Sequence, residues 1–562
     1  MPFLGAVISV IGRHWNPSSD QALELLRIRD VGGSHTPLLG AWSRWGWAHP
    51  GPALFWTLTP FYRVLGNDGV LVGVGLINLT AAIGVVLVGY RRGGYVGALV
   101  AGFTVALVVN ALGLGLLIEP WNPWVAFLPF VLYLGLVWSV VGGDLATLPF
   151  AVGVGSFVVQ THVGYLPMVG GLGLLAVGSV AAASVSTRAT FRSMFRRPLV
   201  WAAVVGLALW APALVQQATG HPGNVSELIT YVRHPPEPTA GWATALGTMG
   251  EQLRPLGPWV SGRETTGGGV ERTASTVWAL ATIAAVAAAG LWARRRGATH
   301  AARLALVALV GVAIAVVATA RVTGIFAPYV LRWWRGVAAL SYLSIAWSLL
   351  FGAGTRRIRS VAMAAAGTGM VAMAAVALFE LPAPVPFPTV SAAIGGVLSP
   401  TAAALDRDHR YLVRSIDRRS VSAPTSGLIF ALSTRGFHVF SDRGPDAVLT
   451  YGSWRLASPD QVDAVITMVA MPEIDAGWHP SAGARVVATW DPLTTKQRAR
   501  VRVLEARIRA AAGARAPTRL LLDSGYARTA MVDAGADRSE VDELGALQAP
   551  GDGFVVYVSP ST

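Results

Sequence analysis

Long apolar runs, broken by short polar segments, fill the first 380 residues of the chain. A membrane-spanning helix needs about 20 predominantly apolar residues, and most of these runs approach or exceed that length. They predict a polytopic α-helical membrane protein with about eleven transmembrane helices. The runs lie at 1–12, 68–90, 95–118, 125–141, 145–163, 164–186, 199–217, 275–293, 303–320, 336–353 and 360–380. The first run is short, and it indicates either a short first helix or, as we favour, a start codon placed inside a longer one.

Arginine clusters between the runs predict the orientation of the helices. Even numbers of predicted spans separate the clusters, and cytoplasmic loops carry an excess of basic residues, so all four clusters are expected on the cytoplasmic side. They are Arg91–Arg92, Arg188 with Arg192, Arg196 and Arg197, Arg294–Arg296, and Arg356, Arg357 and Arg359. The remaining loops, at 13–52, 119–124, 218–274 and 321–335, are then expected outside the cytoplasmic membrane, together with everything after 381.

The composition agrees with a membrane protein. Hydrophobic residues make up 53% of the 562 residues and charged residues only 13%, whereas soluble domains carry roughly 25% charged residues. The net charge is +14, but the arginine clusters lie between apolar runs, where topology explains them, so no nucleic-acid partner is expected. The absence of cysteine excludes disulfides, thiolate metal sites and cysteine nucleophiles.

The character of the chain changes after the predicted catalytic domain at 1–380. Residues 381–390 are proline-rich and read as a semi-rigid linker. Residues 391–562 look like a soluble extracytoplasmic α/β domain, without a nucleotide-binding or nucleophile motif. We predict strands at GLIFALS, DAVLTYG, VDAVITMVA, RVVATW and GFVVYVS, and helices at SPTAAALDRDHRYLVRSIDRR and TTKQRARVRVLEARIRAAAGA.

The first external loop, at 13–52, carries the candidate catalytic acid. Asp20 follows Asn16-Pro17-Ser18-Ser19, a turn and N-cap sequence that predicts the start of a short helix. A carboxylate there is a candidate general base for a hydroxyl group. The alternative is that Asp20 only caps its own helix, a role worth about 1 kcal/mol.

The rest of this loop combines imidazoles, cations and aromatic rings with a backbone stiffened by proline. Aromatic rings offer stacking faces for sugars, and arginine can hold a phosphate through two hydrogen bonds. The predicted substrate-binding residues of the loop are Asp30, His35, Arg44 and His49. An interfacial aromatic belt is the alternative, and it explains the tryptophans of the loop better than its acid, histidine and arginine residues.

These features resemble the GT-C superfamily of membrane glycosyltransferases, which includes protein O-mannosyltransferases, aminoarabinose transferases and actinobacterial arabinosyl- and mannosyltransferases. The resemblance covers 1–380 by architecture. Its specific residues are NPSSDQALELL and GSHTPLLGAWSRWGWAHPGP, which look like those of uncharacterised actinobacterial members. The paired acidic motif of the O-mannosyltransferases is absent, because Gln21 follows Asp20.

The resemblance implies an inverting sugar transfer from a polyprenyl-phosphate donor to a cell-wall glycan, lipid or protein acceptor, with Asp20 as the general base. The departing phosphate needs positive charge beside it. The external cations available are Arg44, Arg233, Arg254, Arg332 and Arg335. Of these, Arg332 and Arg335 lie in a basic-aromatic patch at the outer end of a span, which suits a lipid phosphate; interfacial anchoring is the alternative.

Three further candidates lie elsewhere. His162 and Tyr165 end a span on the outer side, where a histidine at membrane depth is a functional candidate; a hydrogen bond between helices is the alternative. Arg233 lies in the long loop 218–274, which either covers the donor site or has no function.

Other questions stay open. No cofactor is predicted with certainty, and a divalent metal ion is an open alternative, because Asp20 and Asp30 with His35 or His49 could meet in space. A transporter or flippase of a lipid-linked glycan is the rival function, and it would need polar residues near the midplane of the spans. A scaffold with an external binding domain would leave the chemistry of the first loop unexplained.

Overall fold

The computed structural model describes residues 2–186, 191–262, 272–324, 326–353, 355–417, 423–444, 447–516, 522 and 525–561. The chain divides into two compact units. The first unit comprises Met1–His14 and Arg27–Val385, and the second comprises Trp15–Leu26 and Pro386–Thr562. The second unit therefore begins within the predicted linker 381–390. It also takes in residues 15–26, which the sequence analysis had assigned to the N-terminal domain.

The first unit is helical, as its long apolar runs require. Its helices are α1 (Pro2–Val10), α2 (Ser19–Asp30, shared with the second unit), α3 (Ala53–Leu112), α4 (Leu114–Ile118), α5 (Asn122–Val125), α6 (Phe127–Val141), α7 (Leu148–Thr161), α8 (Leu166–Ser186), α9 (Phe191–Thr219), α10 (Asn224–Arg233), α11 (Gly241–Leu253), α12 (Pro258–Ser261), α13 (Arg272–Arg295), α14 (Thr299–Ala320), α15 (Trp333–Gly352) and α16 (Arg356–Phe379).

Eight helical segments among the described residues are long and apolar enough to cross a membrane. The difference from the eleven predicted spans has two causes. Helix α3 counts once but contains two predicted runs, separated where Gly93 and Gly94 leave helical geometry. The runs at 1–12 and 145–163 form helices that are shorter than a full span. The prediction of a polytopic helical membrane protein is confirmed.

Two of the predicted cytoplasmic arginine clusters lie at one end of the bundle. Arg92 approaches the ring of Trp138 and Arg359 that of Phe351, and both rings contact Trp347. Arg91 forms an ion pair of 2.7 Å with Asp144, and Arg303 donates to the carbonyl of Gly142 at 3.0 Å. The ring of His300 lies 5.2 Å from that of Phe351, which the guanidinium of Arg359 covers. We call this the arginine end. Arg188, from the second cluster, lies outside the described residues.

The second unit contains a six-stranded sheet. Its strands are β1 (Arg410–Ile416), β2 (His438–Asp442), β3 (Leu456–Ala457), β4 (Ala464–Ala470), β5 (Arg485–Trp490) and β6 (Phe554–Pro560). The spatial order is β3-β2-β1-β4-β6-β5. Strands β3, β2, β1 and β4 are parallel, whereas β6 is antiparallel to both β4 and β5.

Along the chain, seven helices precede or separate the strands of this sheet. They are α17 (Pro388–Ala403), α18 (Ala423–Thr434), α19 (Ala447–Tyr451), α20 (Met471–Asp475), α21 (Thr495–Ala512), α22 (Gly525–Asp533) and α23 (Arg538–Gln548). The predicted α/β domain is confirmed, but three of its predicted elements are wrong. GLIFALS lies in α18 and DAVLTYG in α19, and the predicted helix over 399–419 contains β1. Short buried apolar runs fit a strand or a buried helix equally well by pattern, which accounts for the first error.

Candidate functional site

Residues 40–49 of the first external loop form a tight hairpin. Backbone hydrogen bonds join Gly40 to His49, His49 to Ala41, and Ser43 to Trp47 at 2.8 to 2.9 Å. Gly46 has φ +80° at the tip, a left-handed conformation that glycine adopts at little cost. We call this segment the first-loop hairpin. It presents Arg44 and Trp45 at its tip and His49 at its base.

The base of the first-loop hairpin contacts the connection between α7 and α8. The buried His49 accepts a hydrogen bond of 3.0 Å on Nδ1 from the backbone N–H of Val163. Its ring centroid lies 4.8 Å from that of His162. Gly51 is needed here because a Cβ atom would fall within 2.7 Å of the Gln160 side chain. The structure therefore brings two predicted residues, far apart in sequence, into one pair in which His49 is buried and His162 half-buried.

Burial also sets the charge of this pair. It lowers the pKa of His162 to about 4, and it lowers the pKa of His49 well below its usual range, with a smaller contribution from His162. Both imidazoles are therefore neutral at neutral pH, when each offers one donor and one acceptor nitrogen. Neutral imidazoles of this kind can bind hydroxyl groups.

Tyr165 and Arg332 continue the site from the histidine pair. The Tyr165 ring lies 6.0 Å from that of His162, and its hydroxyl donates to the carbonyl of Pro123 at 3.3 Å. The Arg332 guanidinium covers the indole of Trp124 and lies near enough to Tyr165 for electrostatic interaction. Aromatic rings thus surround a cation at the start of α15.

Arg335 belongs to a neighbouring charged group that includes an acid missed by the sequence analysis. Its guanidinium donates to the carbonyl of Gly262 at 3.5 Å. Glu251, on α11, interacts with both Arg254 and Arg335. Burial raises the pKa of Glu251, and the two arginines oppose that rise. Glu251 could have been noticed as the one acidic residue of a largely apolar helix.

The tip of the first-loop hairpin has its own polar partners. The Arg44 guanidinium lies 4.5 Å from the centroid of the Trp45 ring, and that ring lies 5.9 Å from Tyr231. Arg44 and the Glu237 carboxylate both approach Gly324. Burial raises the pKa of Tyr231, whereas the positive charge of Arg44 acts in the opposite direction. Arg44 therefore stands at an exposed edge of the same loops.

The remaining predicted residues are Asp30, His35, Arg233 and Asp20. Asp30 forms a 4.0 Å ion pair with Arg27 at the end of α2, His35 is exposed in the following turn, and Arg233 is exposed at the end of α10. Asp20 is half-buried near the start of α2, in the second unit. Across the described ranges, no three His, Asp or Glu side chains form a group that could hold a metal ion.

The histidine pair predicts how stability depends on pH. An unfolded imidazole takes up a proton near pH 6.5, whereas folded His162 resists protonation until about pH 4. The stabilisation that each neutral histidine contributes to the free energy of unfolding should be complete above pH 6.5. It should decrease toward pH 4, by at most about 1.4 kcal/mol per pH unit for each histidine. In thermal unfolding of the purified protein, His162→Gln should flatten this slope and the exposed-site control His35→Gln should keep it. An unchanged slope in His162→Gln would contradict the assignment.

Comparisons with known proteins were made on the whole chain. No family model matches it, and neither does any curated protein. Among solved structures, the chain is similar to ArnT from Cupriavidus metallidurans bound to undecaprenyl phosphate, with 13% identity, coverage of 87% of this chain and 94% of that one, and a TM-score of 0.49. It is also similar to ArnT from the same organism in the apo state, with 14% identity, coverage of 86% and 95%, and a TM-score of 0.47. These neighbours assign no role to any residue of this chain.

Proposed function

We propose that the chain is an inverting glycosyltransferase that moves a sugar from a polyprenyl-phosphate donor to a cell-envelope acceptor. The observation that carries the proposal is the burial of two guanidinium groups, Arg332 and Arg335, which are 3% and 4% exposed at the start of the apolar helix α15. A buried charge is costly unless other groups compensate it, and ionisable residues in membrane segments usually mark functional sites.

The burial also favours this role over membrane anchoring. An anchoring arginine extends its side chain along the apolar surface so that its charge reaches headgroups and water. Arg332 and Arg335 instead point into protein, where they contact Trp124 and the carbonyl of Gly262. A guanidinium matches a phosphate through two parallel hydrogen bonds, which supports a phosphate as the ligand.

The proposed reaction uses one base and one stabilised leaving group. The acceptor hydroxyl gives its proton to a carboxylate, and its oxygen attacks the anomeric carbon. The bond between that carbon and the phosphate oxygen breaks, and the electron pair stays with the phosphate. Positive charge from Arg332 and Arg335 stabilises the departing polyprenyl phosphate. We assign the base to Asp20, whose position near a helix start and partial burial are compatible with that role.

The remaining candidates divide by exposure. His49 and Tyr165 are buried and His162 is half-buried beside them, and we propose that all three contact the sugar. Arg44, Asp30, His35 and Arg233 are exposed or half-buried, and we propose that they contact the acceptor from the aqueous side. The requirement for a divalent metal ion is to be measured in the same assay, with and without added magnesium or manganese.

The arginine pair gives the first kinetic prediction. Arg335→Gln should raise the KM for a polyprenyl-phosphate sugar and lower kcat by roughly 10² to 10³, because a stabilising donor at the leaving group is lost. Arg321→Gln removes an exposed arginine beyond the end of α14 and serves as the control. Wild-type KM and kcat in both Arg332→Gln and Arg335→Gln would refute the phosphate site.

The general base gives the second kinetic prediction. Asp20→Asn keeps the size of the side chain and should lower kcat by about 10² to 10⁴, the usual contribution of such a base, with little change in donor KM. Transfer is followed with radiolabelled polyprenyl-phosphate sugars in membranes, with Glu227→Gln on α10 as the control. Full activity in Asp20→Asn would remove the base assignment, and donor binding without transfer by the wild type would favour a flippase.

The same proposal places the chain in the cytoplasmic membrane, with the arginine end inside and the C-terminal domain outside. The chain has no cysteine, so single cysteines report topology cleanly. Ser34→Cys and Ser481→Cys, both at exposed positions, should react with a membrane-impermeant maleimide in intact cells. Arg295→Cys should react only after permeabilisation. Labelling in the reverse pattern would indicate the opposite orientation of the protein. Labelling of Ser34→Cys alone in intact cells would indicate that the C-terminal domain lies inside.

A further inference from the structure

The residues directly before Asp20 are bound by the C-terminal half of their own unit. The Trp15 indole donates to the carbonyl of Pro386 at 3.0 Å. The backbone N–H of Asn16 donates to the hydroxyl of Ser391 at 2.9 Å, and its amide side chain donates to the carbonyl of the same residue at 3.2 Å. Both partners lie at or just before the start of α17. Helix α17 and Pro386 just before it thus hold this segment through three hydrogen bonds.

Helix α18 contacts the same segment. The hydroxyl of Ser426 donates to the carbonyl of Ser19 at 3.1 Å. At Gly427, a Cβ atom would meet the side chain of Ile394 on α17, and it would stand 2.7 Å from the carbonyl oxygen of Pro17 and 3.4 Å from the Cα of Ser18. The distance to Pro17 is too short for a real contact and involves backbone, so glycine lets both α17 and the segment lie against α18.

The backbone of the bound segment is strained at its last residue. Ser19 has φ +50°, a region that few residues other than glycine adopt. Such a conformation persists where surrounding contacts over-determine it, and it is concentrated at functional sites. The hydrogen bond from Ser426 is one such contact, and the residue that follows the strained position is Asp20.

The place of contact in the α/β domain is also informative. Helix α18 follows β1, and β1 lies between β2 and β4 in the parallel part of the sheet. The chain reverses its strand order there, and open α/β sheets bind ligands beside such a switch point, at the carboxyl ends of the strands. Residues 17–19 of the chain contact the beginning of the helix at this edge.

We propose that the C-terminal α/β domain positions the general base: Ser391, Ser426 and Gly427 hold the backbone of residues 16–19 and thereby fix Asp20. The inference rests on the proposed function, since it needs Asp20 to be the base. Ser391, Ser426 and Gly427 are positioning residues, because they act through the segment and not on the substrate. A base displaced by about 1 Å loses about 10²-fold in rate, so these contacts should be visible in kcat.

The test compares variants of the full-length protein in the transfer assay. Gly427→Ala and the double variant Ser391→Ala with Ser426→Ala should lower kcat by about 10- to 100-fold and leave the donor KM within about twofold. Ser426→Thr keeps a hydroxyl and should restore the activity lost in Ser426→Ala. The matched control is Thr434→Ala, which removes an exposed hydroxyl bonded within α18 itself.

Hydrogen exchange supplies a readout that is independent of activity. Backbone amides of residues 16–22 should exchange faster in Gly427→Ala and in the double variant, while Thr434→Ala should keep the wild-type rates. Global unfolding of a variant would be recognised because it would raise exchange throughout α18 and the sheet. In that case, the comparison of kcat between Ser426→Ala and Ser426→Thr tests whether the Ser426 hydroxyl positions the base.

Three outcomes are distinguished. Loss of activity in Asp20→Asn together with lowered kcat in the positioning variants supports the inference. Loss of activity in Asp20→Asn with wild-type kcat in every positioning variant overturns the inference and leaves the proposed function intact. Full activity in Asp20→Asn overturns the base assignment, and the inference with it.

Discussion

The burial of two guanidinium groups at one end of an apolar helical bundle is the constraint on which the rest of this structure depends. Transfer of an unpaired charge into a low-dielectric interior is prohibitively costly, so the loops at that end must supply polar and aromatic partners. Trp124 covers Arg332, while the Gly262 carbonyl and Glu251 lie beside Arg335. These loops are therefore built around positive charge, and a guanidinium is a group that matches a phosphate ligand.

Neutral polar groups complete the same end of the bundle. The first-loop hairpin brings His49 against His162, and burial keeps both imidazoles uncharged at neutral pH. Neutral donors and acceptors suit the hydroxyl groups of a sugar, whereas the arginines suit its phosphate. The acid assigned as base comes from a separate segment, on the helix that the two units share.

Much of the fold could be predicted because it depends on local patterns. The apolar runs are helical, and the first and last arginine clusters lie at one end of the bundle. Features that depend on contacts between residues distant in sequence could not be predicted from local patterns. The sequence does not reveal that residues 15–26 join the C-terminal unit, nor that Glu251 lies beside Arg335. The buried run in α18 was assigned to a strand, because its pattern lacks the periodicity that separates a helix from a strand.

The most direct test of the central claim is equilibrium binding of undecaprenyl phosphate to the purified full-length protein. A ligand that binds only the native state raises thermal stability with concentration, so thermal unfolding at increasing ligand concentration yields the Kd. The account predicts stabilisation by undecaprenyl phosphate but not by uncharged undecaprenol, and a Kd at least tenfold weaker in the double variant Arg332→Gln with Arg335→Gln. Equal stabilisation by both lipids, or an unchanged Kd in the double variant, would contradict it.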